Sequence, residues 1–326
     1  MNLRRGMLKS GVCTALFLLV GGTLAEPVSH PFFVCGWKSG GPALYDAGFT
    51  KRWQLDSPDE LSDGWVLPDG GMVYSFSRRK EGIAGVVRLD RKKNIQWEYR
   101  VPQGHDNHSC QPLPHGGFLL GECGKDGLWM LEIDRRGKEL KRVKVADAPK
   151  DIHHAFRAVR KTPQGTYLGT LMKGAGQLAG GHAYEWDASG KLLRTFPSGS
   201  FHAVRLANGN TLVSEGHGLE GRVLTEYAPD DSIVWALAED DLKAAGLSVG
   251  MVCGFQRLPN GNTVVSNVAH GKKPLGLDGG EKPKAFEVNE AKEVVWKVPA
   301  STSPHNMGSI QVLDAQQDAF KGTVFR

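Results

Sequence analysis

The sequence predicts an all-β fold, a six-bladed β-propeller whose blades are four-stranded antiparallel sheets. A hairpin-forming segment recurs five times, with 44 to 52 residues between successive turn glycines, and this period is typical of propeller blades. A second hairpin-forming segment follows each copy, so each repeat supplies four strands. The two ends of the chain carry complementary parts of one further blade. We therefore expect one ring-shaped domain over residues 26–315, followed by a C-terminal tail at 316–326.

The first hairpin of each repeat consists of two short apolar runs joined by a glycine-containing turn. The runs are rich in β-branched and aromatic residues, and Gly, Pro and Asn interrupt them too often for helical repeats. We name the four strands of a blade a to d, from the channel outward, and this hairpin supplies strands a and b. The five copies are WVLPDGGMVYS (65–75), QPLPHGGFLLG (111–121), VRKTPQGTYLGT (159–170), VRLANGNTLVS (204–214) and FQRLPNGNTVVS (255–266).

The second hairpin of each repeat supplies strands c and d around a tight polar turn. Trp97, Trp235 and Trp296 recur at one position of strand d, where we expect them to pack between blades. The five copies are VVRLDRKKNIQW (86–97), WMLEIDRRGKEL (129–140), AYEWDASGKLLR (183–194), VLTEYAPDDSIVW (223–235) and AFEVNEAKEVVW (285–296).

The chain ends complete the ring. HPFFVCGW (30–37) aligns with a strand b, and ALYDAGFTKRW (43–53) aligns with strands c and d, but no strand a precedes them. MGSIQVLD (307–314) has the pattern of a strand a without partners. Pairing of the N-terminal and C-terminal strands would close a sixth blade and leave no open sheet edge.

Residues 1–25 have the pattern of an export signal. A basic segment containing Arg4 and Arg5 precedes an apolar run, and small residues precede Glu26. The arginine pair resembles a twin-arginine signal, and an ordinary secretory signal fits equally well. The apolar run is too short to span a membrane. Cleavage would lower the formal net charge from +5 to +2 by removing Arg4, Arg5 and Lys9, which gives no reason to expect nucleic-acid binding.

The histidines concentrate on one face of the predicted propeller. Because antiparallel strands alternate in direction, the d-to-a loops between blades and the b-to-c loops within blades emerge on one face, here called the mouth face. The a-to-b and c-to-d turns emerge on the other, here called the turn face. Nine of the eleven histidines map to the mouth face, all except His30 and His115. A single loop histidine is ordinary, but four of six blades place one just before strand a.

These positions define the candidate site at the mouth of the central channel. We expect a short helix within 236–251, one of the longer loops on this face. The candidate metal ligands are His105, His108, His153, His154, His202 and His305. The candidate ligand-binding residues are Asp106, Asn107, Glu122, Glu215, His217, Asn267 and Asn306.

The repeat resembles that of a known enzyme family. The hairpins LANGNTLV and LPNGNTVV, each followed by an acidic turn and a closing tryptophan, are similar to secreted propellers related to bacterial arylsulfotransferases and, more distantly, to quinone-dependent dehydrogenases. The first resemblance implies transfer of a sulfuryl group through a histidine nucleophile, with further histidines and an arginine holding the sulfate oxygens. The matching catalytic positions are His108, His154, His202 and His305, with Arg157 or Arg205 as the anion contact.

Two other functions fit the same residues. Three histidines with a carboxylate could bind Zn²⁺ or another divalent metal ion, which would suit a hydrolase or lyase. A non-catalytic propeller could bind a glycan or a protein on the same face. The expected partner is therefore a small molecule such as an aryl sulfate, or a glycan, and we expect a monomer.

Four cysteines follow the export signal, and export would permit disulfides. Cys110 with Cys123, and Cys35 with Cys253, are the pairs that the predicted strand order brings close. Small buried thiols are the alternative for all four.

Overall fold

The computed structural model describes residues 27–37, 41–57, 59–219, 221–268, 275–276, 280–302 and 306–326, and for 216–219 and 275–276 the backbone alone. The export signal predicted at 1–25 lies outside these residues. In chain order the elements are β1 (Phe32–Cys35), β2 (Ala43–Tyr45), β3 (Lys51–Gln54), β4 (Gly64–Val66), β5 (Met72–Arg78), β6 (Ile83–Leu89), β7 (Ile95–Arg100), β8 (Asp106–Asn107), β9 (Gln111–Pro112), β10 (Phe118–Gly124), β11 (Gly127–Ile133), β12 (Glu139–Ala146), β13 (Phe156–Lys161), β14 (Tyr167–Leu171), β15 (His182–Trp186), β16 (Leu192–Thr195), β17 (His202–Arg205), β18 (Thr211–Leu219), β19 (Arg222–Tyr227), β20 (Ile233–Ala238), α1 (Glu239–Ala244), β21 (Ser248–Val249), β22 (Met251–Arg257), β23 (Thr263–Val268), β24 (Leu275–Gly276), β25 (Ala285–Val288), β26 (Val294–Val298) and β27 (Ser309–Val312).

These strands form six antiparallel blades around a central channel, as predicted. From the channel outward the blades are β27-β1-β2-β3, β4-β5-β6-β7, β8 and β9-β10-β11-β12, β13-β14-β15-β16, β17-β18-β19-β20 and β22-β23-β25-β26. A small β21-β24 ribbon and the predicted short helix, α1, follow the fifth blade. No helix among the described residues is long and apolar enough to cross a membrane.

The a-to-b turns explain the repeated glycines. Gly70, Gly116, Gly165, Gly209 and Gly261 all adopt φ between +78° and +88°, a region that glycine occupies without steric cost. Each of these glycines donates its amide hydrogen to a carbonyl three residues earlier, as Gly70 does to Leu67. The repeated motif is therefore a turn requirement, and it lies on the turn face.

The hydrophobic core is divided into layers between neighbouring blades. Six clusters of buried side chains each combine residues of two consecutive blades. The three recurring tryptophans contribute as predicted: Trp97 and Trp235 donate to backbone carbonyls of the next blade, and Trp296 packs against Phe32. Each blade therefore depends on both of its neighbours for burial.

The chain ends close the ring through β1 and β27. Phe32 to Cys35 pair antiparallel with Val312 to Ser309, which confirms the predicted closure. Residues 316–326, assigned above to a tail, continue onto the turn face of the propeller. Gln317 contacts Gln256 of the sixth blade, and the Arg326 guanidinium donates to Gly64 of the second blade. The carbonyl of Arg326 accepts from Arg160 of the fourth blade, so this segment lies across the end of the channel.

The four described cysteines are buried free thiols. Cys123 pairs in register with Asp106, and Cys110 lies just before β9, so the two are not opposite each other. Cys35 and Cys253 belong to different packing clusters. Burial raises the pKa of all four thiols, that of Cys253 to about 12. This arrangement agrees with the alternative prediction of small buried thiols.

His30 provides a test of the closure. Its Nε2 lies 2.8 Å from Glu287 of the sixth blade, and its Nδ1 lies 3.0 Å from Asp314, just after β27. Burial alone would lower the pKa of His30, but the interactions with Glu287 and Asp314 outweigh this effect, so its pKa is raised above 6.5. Because the folded state then holds this proton more tightly than the unfolded chain, the stabilisation is complete below pH 6.5 and is lost as pH rises through the raised pKa.

We expect His30→Gln to lower the free energy of unfolding by about 1 kcal/mol at pH 6 and by less at pH 9. Urea denaturation at both pH values measures the difference. His115→Gln, at an exposed position in an a-to-b turn, is the control and should change neither value. An equal loss at both pH values would contradict the role of the His30 charge.

Candidate functional site

The inner strand of the third blade is interrupted at the mouth face. β8 pairs with the end of β10 through Asn107 and Asp106, and β9 pairs with its beginning. His108 and Ser109 lie between the two short strands. This break turns the His108 ring into the channel, where it is 1% exposed.

Asp106, His108 and His153 form a buried cluster, here called the triad. His153 comes from the loop before β13, the inner strand of the fourth blade. One potential ligand atom from each residue lies within 4.8 Å of the other two. His153 Nδ1 donates to Asp106 Oδ2 at 2.7 Å, and His108 Nε2 lies 3.4 Å from the same oxygen. Two imidazoles and a carboxylate therefore converge at the channel mouth.

Glu60 and Ser62, which the sequence analysis did not identify, contact the two imidazoles from the second blade. Ser62 Oγ lies 2.9 Å from His108 Nδ1, and Glu60 Oε2 lies 3.4 Å from His153 Nε2. Both residues belong to the segment Asp59–Asp63 just before β4. This segment has the d-to-a position that carries histidines in other blades. Its two aspartates and one glutamate are the sequence feature that could have predicted a contribution to the site.

The charges of the cluster compensate one another. Burial alone would lower the pKa of His153, but hydrogen bonds with Asp106 and Glu60 raise it to about 9. Burial alone would raise the pKa of Glu60, but His153, His108 and Arg157 lower it to about 2. The histidines likewise hold the pKa of Asp106 well below its usual value. When no metal ion is bound, the protonated ring of His153 therefore lies between two carboxylates.

His154 and Asp151 form a separate pair beside the triad. His154 Nδ1 donates to Asp151 Oδ2 at 2.7 Å, and the ring contacts that of His153 with 4.7 Å between centroids. His154 Nε2 forms no hydrogen bond with the described residues, and the side chain is 32% exposed. An imidazole held through Nδ1 in this way presents an accepting Nε2 to solvent.

His105 and Glu122 interact with each other. His105 Nδ1 donates to Glu122 Oε1 at 2.6 Å, and the fully buried Glu122 also accepts from Arg142. The structure thus places two of the predicted site residues together, in a network next to the triad.

His202 lies deeper in the channel. It lines a cavity of about 20 Å³ together with His108, Arg157, Phe201 and Trp37, a volume sufficient for one water molecule. Its Nε2 is buried and has no hydrogen-bond partner in the part of the chain that the structure describes. Burial and the charge of Arg160 lower the pKa of His202 well below its usual value, so the ring is neutral at pH 7.

The two predicted anion contacts have different surroundings. Arg157 donates to the His153 carbonyl at 3.2 Å and stacks over Phe201, within the mouth. Arg205 pairs with Glu185 of the neighbouring blade, in the part of β17 nearest the turn face.

The other predicted ligand-binding residues are buried among backbone and side-chain partners. Asn107 donates to the Gly85 carbonyl. Asn267 accepts from the Gly250 amide and donates to the Pro283 carbonyl. Glu215 accepts from Ser198 and Thr225. Asn306 is 1% exposed, with a side-chain oxygen that has no partner among the described residues. His305 and the side chain of His217 lie outside the described residues.

An open cavity of about 570 Å³ adjoins the triad. Asp106 and His153 form its inner wall, and His105 and Asp151 line it as well. The b-to-c loops of the second and third blades and the d-to-a loop before β13 complete it. This volume is within the range of small-molecule binding sites.

Comparison with known proteins shows the fold. No family model matches the chain, and no curated protein matches it. A Bacteroides caccae protein of unknown function is similar over 87% of this chain and 98% of that one, with 22% identity and a TM-score of 0.73. A catalytically inactive virginiamycin B lyase from Staphylococcus aureus, crystallised with quinupristin, covers 85% of this chain and 87% of its own, with 10% identity and a TM-score of 0.52. The similarity to a putative gluconolactonase covers 84% of this chain and 89% of that one, with 11% identity and a TM-score of 0.51. At these identities the similarity establishes the propeller and no activity.

Proposed function

We propose that this chain is a divalent-metal-dependent hydrolase or lyase with its active site at the mouth face. The observation that carries the proposal is the triad, in which the ligand atoms of Asp106, His108 and His153 lie within 4.8 Å of one another. Three protein ligands that leave open positions are typical of catalytic zinc sites, and this ligand set also suits other first-row divalent ions.

The surroundings of the triad fit a metal ion. Glu60 lies at Nε2 of His153, which directs Nδ1 toward Asp106, and carboxylate partners of this kind orient metal-bound histidines. Ser62 contacts Nδ1 of His108, and His108 Nε2 donates to the His153 carbonyl at 3.0 Å, so a metal ion bound at Nε2 would replace this hydrogen bond and its proton. A bound cation would replace the proton that His153 and Asp106 share.

The remaining residues supply the acid–base chemistry. A bound metal ion would polarise a substrate carbonyl or acidify a bound water. His154, oriented by Asp151, would accept a proton at Nε2, from water in a hydrolase or from carbon in a lyase. Two of the similar structures are a lyase and a putative gluconolactonase, which supports the reaction class by analogy of fold. The export signal predicted at 1–25 would place this activity in the periplasm or outside the cell.

Sulfuryl transfer is a second candidate, favoured by His202. A neutral imidazole with an unpartnered Nε2 is a competent nucleophile, and Arg157 lines the same cavity. This arrangement fits the resemblance to arylsulfotransferases. The small volume around His202 favours the metal-dependent reaction over this one.

We expect the purified protein to bind about one divalent ion per chain, with an affinity that depends on the triad. Elemental analysis and titration calorimetry with Zn²⁺ and Mn²⁺ measure this. Asp106→Ala and His108→Ala should abolish binding, and Glu60→Gln should weaken it about 10- to 100-fold through loss of orientation. His182→Ala, on the same face but bonded to Phe196, is the control. A folded protein without metal binding would overturn the proposal.

The role of His154 has a separate test. In metal-loaded protein, His154→Gln should lower kcat by roughly 100-fold, the contribution typical of a general base, while metal affinity stays unchanged. Glucono-1,5-lactone, quinupristin and 4-nitrophenyl acetate are suitable probes. His182→Gln, on the same face and bonded to Phe196, is the matched control. An unchanged kcat in His154→Gln would remove this residue from the reaction.

Sulfuryl transfer predicts a covalent adduct. Incubation with 4-nitrophenyl sulfate should release nitrophenol and add one sulfuryl group to the protein, detectable by intact mass, and a phenolic acceptor should remove it. His202→Ala should prevent both events. Absence of adduct and of transfer, where an arylsulfotransferase control is active, would eliminate this candidate. If metal binding is absent too, a non-catalytic glycan- or protein-binding propeller remains.

A further inference from the structure

Three cations line the outer wall of the cavity beside the triad. Arg79 belongs to the b-to-c loop of the second blade, Lys125 to that of the third, and Lys150 to the loop before β13. All three side chains are exposed, and none forms an ion pair with the described residues. They come from separate segments of the chain, so only the fold brings them together.

The carboxylates in this cavity already have partners. Asp106 accepts from His153, and Asp151 accepts from His154. Arg79 lies close enough to help lower the pKa of Asp151, but the closer His154 makes the larger contribution. The cavity therefore has an excess of positive charge, and a metal ion in the triad would increase it. Such a wall attracts anions and raises their local concentration.

We infer that the cavity binds a small organic acid that carries a second acidic group in addition to the group bound by the metal. This inference rests on the proposed function and names its substrate class. The guanidinium of Arg79 can bind a carboxylate through two parallel hydrogen bonds, and the two lysines add point charges. A cavity of about 570 Å³ holds a molecule of this kind together with water.

The inference is tested by calorimetry of metal-loaded protein with a matched set of probes. Malonate, succinate and glutarate carry two carboxylates at different spacings, acetate carries one, and succinamide carries none. At least one dicarboxylate should bind tenfold or more tightly than acetate, and succinamide should not bind. Equal affinity for acetate and all three dicarboxylates would overturn the inference.

A matched pair of variants separates this site from general surface charge. Arg79→Gln/Lys125→Gln/Lys150→Gln should weaken dicarboxylate binding at least tenfold and leave acetate binding unchanged. Arg91→Gln/Arg136→Gln/Lys138→Gln removes the same charge from exposed c-to-d turns on the turn face and should have no effect. Equal losses in both variants would overturn the inference.

Failure of the proposed function gives a different result. Metal affinity is measured first, and its absence overturns the function alone. Dicarboxylate binding to metal-free protein that still depends on Arg79, Lys125 and Lys150 would then support the acidic-group site. Normal metal affinity without dicarboxylate binding overturns the inference and leaves the function standing.

Discussion

Closure of the ring by β27 and β1 is the constraint on which the rest of the structure depends. Each hydrophobic layer lies between two blades, so a blade that loses one neighbour exposes an entire face. The layer between the sixth and first blades combines Phe32 and Ile310, from opposite ends of the chain, with Trp296. The closed ring fixes the inner strands around the channel, and their d-to-a loops then converge at the mouth. In this way Glu60, His108 and His153 meet although 93 residues of sequence separate the first from the last.

The channel compensates its buried carboxylates in two different ways. Deeper in the channel, Asp63 pairs with Arg160 and Arg326, whose guanidinium groups do not release protons in proteins. Toward the mouth, Glu60 and Asp106 interact with His153, and an imidazole can exchange its proton for a metal ion near neutral pH. The first arrangement fixes the charge permanently and holds residues 316–326 in place. The second arrangement leaves the mouth able to exchange a proton for another cation.

The repeat allowed the fold to be predicted from the sequence. The site lies in loops that do not repeat, so only part of it could be predicted. Turn glycines, closing tryptophans and the incomplete terminal blades all follow from the requirement that each blade cover its neighbours. The sequence also placed His108 and His153 on the mouth face, where the structure has them. It could not show that the inner strand of the third blade breaks at His108, because that break depends on pairing with β10. Asn267 and Glu215 are residues of the types that also form binding sites. Only their buried hydrogen-bond partners show that they connect loops and strands instead.

The site is asymmetric although the scaffold repeats. Blades two, three and four supply Glu60, Asp106, His153 and the cationic wall, whereas Phe201, Met251 and Cys253 form an apolar cluster from the fifth and sixth blades. Because d-to-a loops meet near the axis, three consecutive blades suffice to surround one side of an ion. The cavity lies on the outer side of the triad, between the loops of those same blades. A substrate there would reach an ion bound by the triad from the side opposite the apolar cluster of the fifth and sixth blades.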